Sequence, residues 1–196
     1  LLSNGPGDPT STLPHTKETL VEILKNKIPL FGICLGHQLL ALTLKCEVEK
    51  LEQGHRGTNH PVLNYDSKKV EITTQNHGFA VLEENIPSFV EITHRSLFDG
   101  IIEGIALKFG KKVGIDGAEF ISGYAKSVQY HPESSGGPHD SLYLFEEFFE
   151  MVKSGQFTDK KILLIDSDAK NKNDRTWCYW DSGNLFDEIS TKNWQH

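Results

Sequence analysis

Two short stretches hold the residues whose types and spacing could do chemistry. The first is Phe31-Gly32-Ile33-Cys34-Leu35-Gly36-His37, with a cysteine flanked by glycines two residues away on either side. The second is Gln129-Tyr130-His131-Pro132-Glu133, a histidine two residues ahead of a glutamate. A thiolate attacks carbonyl carbon, and it needs a base to take the proton and a carboxylate to hold that base. Pro132 disfavours helix at His131, and in an extended segment residues two apart project to the same side. Glu133 is therefore placed to orient the His131 imidazole. Each piece also has a plainer role open to it: a buried structural thiol for Cys34, and a surface pair for His131 and Glu133. Together they read as a Cys-His-Glu triad.

The elements that must position these groups follow from the surrounding pattern. The apolar run from Ile28 to Ile33 reads as a strand, and Leu39, Leu40, Leu42 and Leu44 carry helical spacing after the turn. Strand, tight turn and helix make a nucleophile elbow, with the thiol at the positive end of the helix dipole. The amide of Leu35, next after the nucleophile, is then one candidate oxyanion donor. Gly5 and Gly7 in the opening Ser3-Asn4-Gly5-Pro6-Gly7-Asp8-Pro9 loop let backbone come close to a ligand and offer another, although such residues also make ordinary turns.

Further along, the spacing predicts a helix over 16–27 and strand-like runs at 47–51, 69–74, 79–82, 89–94, 101–109 and 127–130. A final helix over 139–154 carries Leu142, Phe145, Phe148, Phe149 and Val152 on one face and stops at Gly155. The expected organisation is an α/β domain over 1–154 and a separate tail over 155–196, where the character turns polar and then aromatic.

A formal net charge of -7 over 196 residues argues against nucleic acid or an anionic membrane as partner. There is no apolar run long enough to span a bilayer, and three scattered cysteines fit a reducing, cytoplasmic setting better than a disulfide framework. His55, His60 and His77 raise a metal site as an alternative. They lie among glycines with no second ligand cluster in the sequence, so turn roles are expected and no metal.

The segments LSNGPGDP, GICLGHQLLAL, GHRGTNHPV, QNHGFAV, THRSLFDG and HPESSGGPHD resemble the glutaminase domain of the carbamoyl-phosphate synthase small subunit, a class I glutamine amidotransferase. The resemblance covers residues 1 to about 154. It implies a mixed, largely parallel sheet flanked by helices, N-terminally truncated and lacking its first strand. Cys34, His131 and Glu133 would be catalytic. Gly5 and Leu35 would offer the oxyanion amides, Gly7 would join the oxyanion and substrate-binding set, and Gln38, Asn76, Gly78 and Phe79 would shape the glutamine pocket. The implied reaction is hydrolysis of L-glutamine to glutamate and ammonia through a cysteine thioester. The ammonia would pass to a carbamoyl-phosphate synthase large subunit, in pyrimidine or arginine biosynthesis. The chain itself would hold no cofactor, with ATP and magnesium expected on that partner. Residues 156–196 resemble instead a fragment of a lycopene cyclase, a flavoprotein, with Asp166 at the end of its strand, but no Gly-x-Gly-x-x-Gly loop precedes it. Two further readings stand beside the leading one: a catalytically incompetent domain serving only as a binding module, and a hydrolase of another amide or γ-glutamyl bond. The pocket residues Gln38 and Asn76 argue against the latter.

Overall fold

The computed structural model describes residues 1–108, 110–133 and 137–153. The boundary expected after residue 154 and the tail with Asp166 lie outside the described residues. In chain order the elements are α1 (Pro9–Lys25), β1 (Leu30–Ile33), α2 (Leu35–Thr43), β2 (Val48–Asn64), β3 (Val70–Val81), β4 (Val90–Ser96), β5 (Ile102–Leu107), β6 (Lys112–Ile115), β7 (Ala118–Ile121), β8 (Ala125–Val128) and α3 (Tyr143–Lys153). Among them, no helix is long and apolar enough to cross a membrane.

Helix α1 starts well before the expected residue 16. Asp8 caps it by accepting from the Thr10 amide, Pro9 stands in the first turn where no backbone donor is needed, and Pro14 is carried inside. In α3 Leu144 is buried, whereas Leu142, just before the helix starts, is 41% exposed.

The main sheet has the order β1-β8-β5-β3-β2-β4, with β4 also meeting β5. The expectation of a largely parallel sheet is corrected. Strands β1 and β8 run parallel, and Leu2 adds a parallel bridge to Gly32, but β8–β5, β5–β4, β5–β3, β3–β2 and β2–β4 are all antiparallel. The physical reason is the connections. Short links over 65–69 and 97–101 join consecutive strands with no crossover helix, and such links only make hairpins. Strands β6 and β7 form a separate hairpin, whose Asp116 ion-pairs with Lys17 of α1 and with Lys45 just beyond α2.

Helices cover both faces of the β1–β8 end of this sheet. Leu20, Ile23 and Leu24 of α1 and Leu35, Leu39 and Leu40 of α2 pack with Leu30, Ile105, Leu107 and Ala125. On the other face Leu144, Phe145 and Phe148 of α3 pack against Phe31, Ile33, Val128 and Tyr130. Strand alternation explains the split, since Leu30 and Phe31 point to opposite sides. A charge-assisted contact of Lys126 with Glu147 at 2.8 Å ties α3 to β8.

The turn between β1 and α2 is built by close backbone approach. A Cβ on Gly36 would sit 2.2 Å from the Leu2 carbonyl oxygen, and one on Gly32 would sit 2.8 Å from the Gly36 carbonyl oxygen. Behind this turn lies a layer of buried imidazoles. His37 bonds Ser127 Oγ through Nδ1 at 2.9 Å, and His94 bonds Thr93 Oγ1 at 2.8 Å. Burial lowers His37 to about 3, with nearby His77 and His94 adding to it; burial and then Lys126 lower His94 to about 3.

Two expectations follow. Gly36→Ala should destabilise the fold by about 1–3 kcal/mol, because the obstructing atoms are backbone and cannot step aside; an unchanged urea midpoint would contradict the packing described. Acid should unfold the chain early. His37 and His94 are neutral when folded and titrate near 6.5 when unfolded, so the unfolded chain binds more protons between about pH 3 and 6.5. Their contribution is complete above pH 6.5 and falls on acidification by about 1.4 kcal/mol per pH unit for each. His55 and His131, both raised, act only above that window. Melting temperatures at pH 6.5, 5.5 and 4.5 should fall stepwise, and a flat series would refute the assignment.

Candidate active site

Cys34 sits at the junction of β1 and α2 in a strained backbone conformation, φ 50 and ψ -104. A non-glycine residue holds such angles only where its surroundings impose them. Here they are imposed by the Cys34 amide donating to Val128 O at 2.9 Å, by Gln38 N donating to Cys34 O at 3.1 Å, and by the glycine contacts on either side. The thiol itself is buried and lies 3.9 Å from the Asn76 carbonyl oxygen.

Strand β8 ends at the Val128 carbonyl that holds Cys34, and the chain then delivers His131. The His131 amide donates to Thr74 O of β3 at 2.9 Å. Its Nδ1 meets Glu133 Oε1 at 2.7 Å, as the two-residue spacing anticipates. Its Nε2 is buried without a hydrogen-bond partner of its own. No bond of ordinary length joins Nε2 to sulfur, yet the Cys34 thiol is the strongest influence raising His131 to about 10, followed by Glu133. The imidazole thus lies within electrostatic reach of the thiol and holds its proton firmly. A histidine so placed can take a proton from sulfur and keep it beside a thiolate. The structure brings Cys34, His131 and Glu133 together.

The other expected residues group around this centre in different ways. Leu35 is the first residue of α2, so its N–H has no acceptor within the helix and lies next to the nucleophile. Gly5 follows closely on Leu2, whose amide donates to Phe31 O at 2.7 Å and whose carbonyl accepts from Ile33 N at 3.0 Å. That pairing roots the opening loop beside the elbow. Gly7, at φ 104, is exposed, with open space around it.

Asn76, Gly78 and Phe79 all lie on β3, which runs past both Cys34 and His131. Gln38 Nε2 donates to Phe79 O at 3.3 Å and to Gln129 Oε1 at 3.0 Å, so its amide braces β3.

The placement of the remaining histidines corrects the expectation of turn positions. His55 and His60 are on β2 and His77 is on β3, with His55 and His77 directly paired. His55 Nδ1 meets the fully buried Glu103 at 3.2 Å and its Nε2 meets Asp99 at 2.7 Å. Glu103, then Asp99, raise His55 to about 9 against its burial, and burial lowers His77 to about 4.

Sequence reasoning missed Gln129, Asp99 and Glu103. Glu103 had a signal: it is the only charge in 101–107, a run otherwise apolar or glycine, and a carboxylate in a buried strand must have partners.

The family model described as glutamine amidotransferase class-I matches residues 1–151. The carbamoyl phosphate synthase small chain of Zymomonas mobilis is 48% identical over 151 residues, 77% of this chain and 37% of that protein. That of Bartonella quintana is 49% identical over 151 residues, 77% of this chain and 35% of that protein. The chain therefore spans about a third of the length of these curated relatives.

Among solved structures, a protein from Thermoplasma acidophilum described as a GMP synthase subunit superposes with a TM-score of 0.61 at 19% identity, covering 78% of this chain and 71% of that one. A glutamine amidotransferase from Thermotoga maritima gives 0.51 at 19% identity, covering 79% and 64%. These two likenesses establish the fold, and the family match establishes the lineage: this chain belongs to the class I glutamine amidotransferases.

Proposed function

We propose that this chain hydrolyses glutamine to glutamate and ammonia through a thioester on Cys34. The observation that carries the reading is the His131 imidazole, held on one side by Glu133 at 2.7 Å and turned on the other, with Nε2 unengaged, toward the Cys34 thiol. In this scheme sulfur attacks the side-chain amide carbon, and His131 gives the thiol proton to the departing nitrogen as ammonia leaves. A water then adds to the thioester, its proton passing to His131, and glutamate departs as sulfur is released. The amides of Leu35 and Gly5 would receive the oxyanion formed at each addition. Asn76, Gly78 and Phe79 would line the substrate, with Gln38 holding the Phe79 carbonyl from behind.

The curated relatives are small chains of carbamoyl phosphate synthase, which supports a synthetase large subunit as the partner receiving ammonia. ATP and magnesium would act on that partner.

Cys34→Ser should lower glutamine hydrolysis by at least about 10³-fold without shifting the melting temperature, and His131→Asn should do nearly as much. Combining them should cost little more, since such groups act as a unit. Parent-like turnover in Cys34→Ser would end the proposal, and a folded but inactive parent chain would favour the binding-module reading.

Gly78→Ala tests the pocket separately. Nothing lies within 4 Å of a Cβ there, so folding should be untouched. An added methyl facing glutamine should raise KM about 10-fold or more. An unchanged KM would remove Gly78 from the pocket.

A further inference from the structure

We propose that His55, His77 and Glu103 supply three ligands of a site for a zinc-class divalent cation that clips strands β2, β3 and β5 together. One ligand atom from each residue lies within 4.8 Å of the other two. Zinc bonds of about 2.0–2.2 Å set tetrahedral ligand atoms about 3.4 Å apart, so the cluster needs only small inward movement. His55 Nδ1 is 3.2 Å and His77 Nε2 is 3.9 Å from Glu103 Oε1. Two imidazoles and one carboxylate suit zinc and its late first-row neighbours better than calcium or magnesium.

The surrounding bonds orient both rings as metal ligands are oriented. The outer nitrogen of His55, Nε2, meets the Asp99 carboxylate at 2.7 Å, and the outer nitrogen of His77, Nδ1, meets Phe79 O at 2.8 Å. Glu103 Oε2 accepts from Gln75 Nε2 at 3.0 Å. The Phe79 carbonyl behind His77 fixes its proton on Nδ1 and turns the Nε2 lone pair toward the cluster, while at His55 a metal would replace the proton that Nδ1 shares with Glu103.

At His77 the consequence is an unmet need. Its side chain is 1% exposed, Nε2 has no hydrogen-bond partner, and the Glu103 carboxylate lies 3.9 Å away. With the ring proton given to Phe79 O, a nitrogen lone pair faces a carboxylate oxygen in a buried space. A cation between the two would satisfy both.

The place in the fold gives the cation a purpose. His55 and His77 are cross-strand partners, so β2 and β3 are already joined there. Strands β3 and β5 pair only at Val81 and Ile102, and Glu103 is the next residue of β5. A metal held by His77 and Glu103 would close the opening between these strands, directly behind the Asn76–Phe79 stretch.

The test uses the whole chain carrying Cys34→Ser, so that the nucleophile cannot capture metal. Titration with Co2+ should produce visible d–d absorption saturating at one equivalent, abolished by adding Zn2+, and Zn2+ should raise the melting temperature. Glu103→Gln should remove both responses. Asp99→Asn, whose carboxylate is 40% exposed and lies outside the cluster, should fold and weaken Co2+ binding by about 10–100-fold. No saturable Co2+ signal in the Cys34→Ser chain would overturn the proposal. So would a signal that Asp99→Asn leaves at full strength, a result that remains decisive should Glu103→Gln fail to fold.

Discussion

The approach of Gly36 to the Leu2 carbonyl is the contact on which the rest of this site depends. With no side chain at Gly36, the opening segment can lie flat along β1, so that Leu2 exchanges hydrogen bonds with Phe31 and Ile33. With no side chain at Gly32, the first turn of α2 can fold back on the strand it has just left. Between these two contacts Cys34 is forced to positive φ, and its sulfur is delivered at the head of a helix. The strain is local, costing on the order of 1–3 kcal/mol for such a conformation. It is sustained by the apolar packing of α1 and α2 beneath it.

A second consequence is that one strand serves two ends of the reaction centre. Strand β3 gives the Thr74 carbonyl to the His131 amide and sets the Asn76 carbonyl against the thiol. Nucleophile and base therefore take their positions relative to the same stretch of backbone, although they lie almost a hundred residues apart in sequence. Anything that moves β3 moves both. That stretch is braced by Gln38 on the Phe79 carbonyl from one side and by the His77 ring on the same carbonyl from its own strand. The buried polar groups here are costly to leave unpaired, which makes the arrangement rigid when complete.

Local relations were legible in the sequence, and relations across the sheet were not. The His131 and Glu133 pair could be read because two residues in an extended chain share a side whatever surrounds them. The elbow could be read because glycines bracketing a residue between strand and helix patterns imply a sharp turn. The direction of the sheet was expected wrongly from the resemblance, although a succession of strand-like runs without helices between them already points to hairpins. The length of β2 was hidden by Gly54, Gly57 and Pro61, which read as loop punctuation; in the structure Gly54 is where the His77 carbonyl comes within 2.3 Å of a would-be Cβ. The early start of α1 was hidden by Pro14, which local propensity counts as a breaker and which the Asp8 cap outweighs.

The hardest feature to read was also the most polar. Glu103 sits at 0% exposure in a strand whose other residues are apolar or glycine, and its partners, His55 and Gln75, come from β2 and β3, with Asp99 of the link before β5 reached only through His55. No spacing rule connects His55, Gln75 and Asp99 to it, because register between distant strands is a property of the folded sheet. A charge in such a run does carry information of another kind. The cost of burying a carboxylate alone is far larger than any propensity term, so the folded chain must supply it with donors or a cation. The lone glutamate in Ile101-Ile102-Glu103-Gly104-Ile105 therefore announced that a polar cluster existed, while only the fold could say which residues complete it.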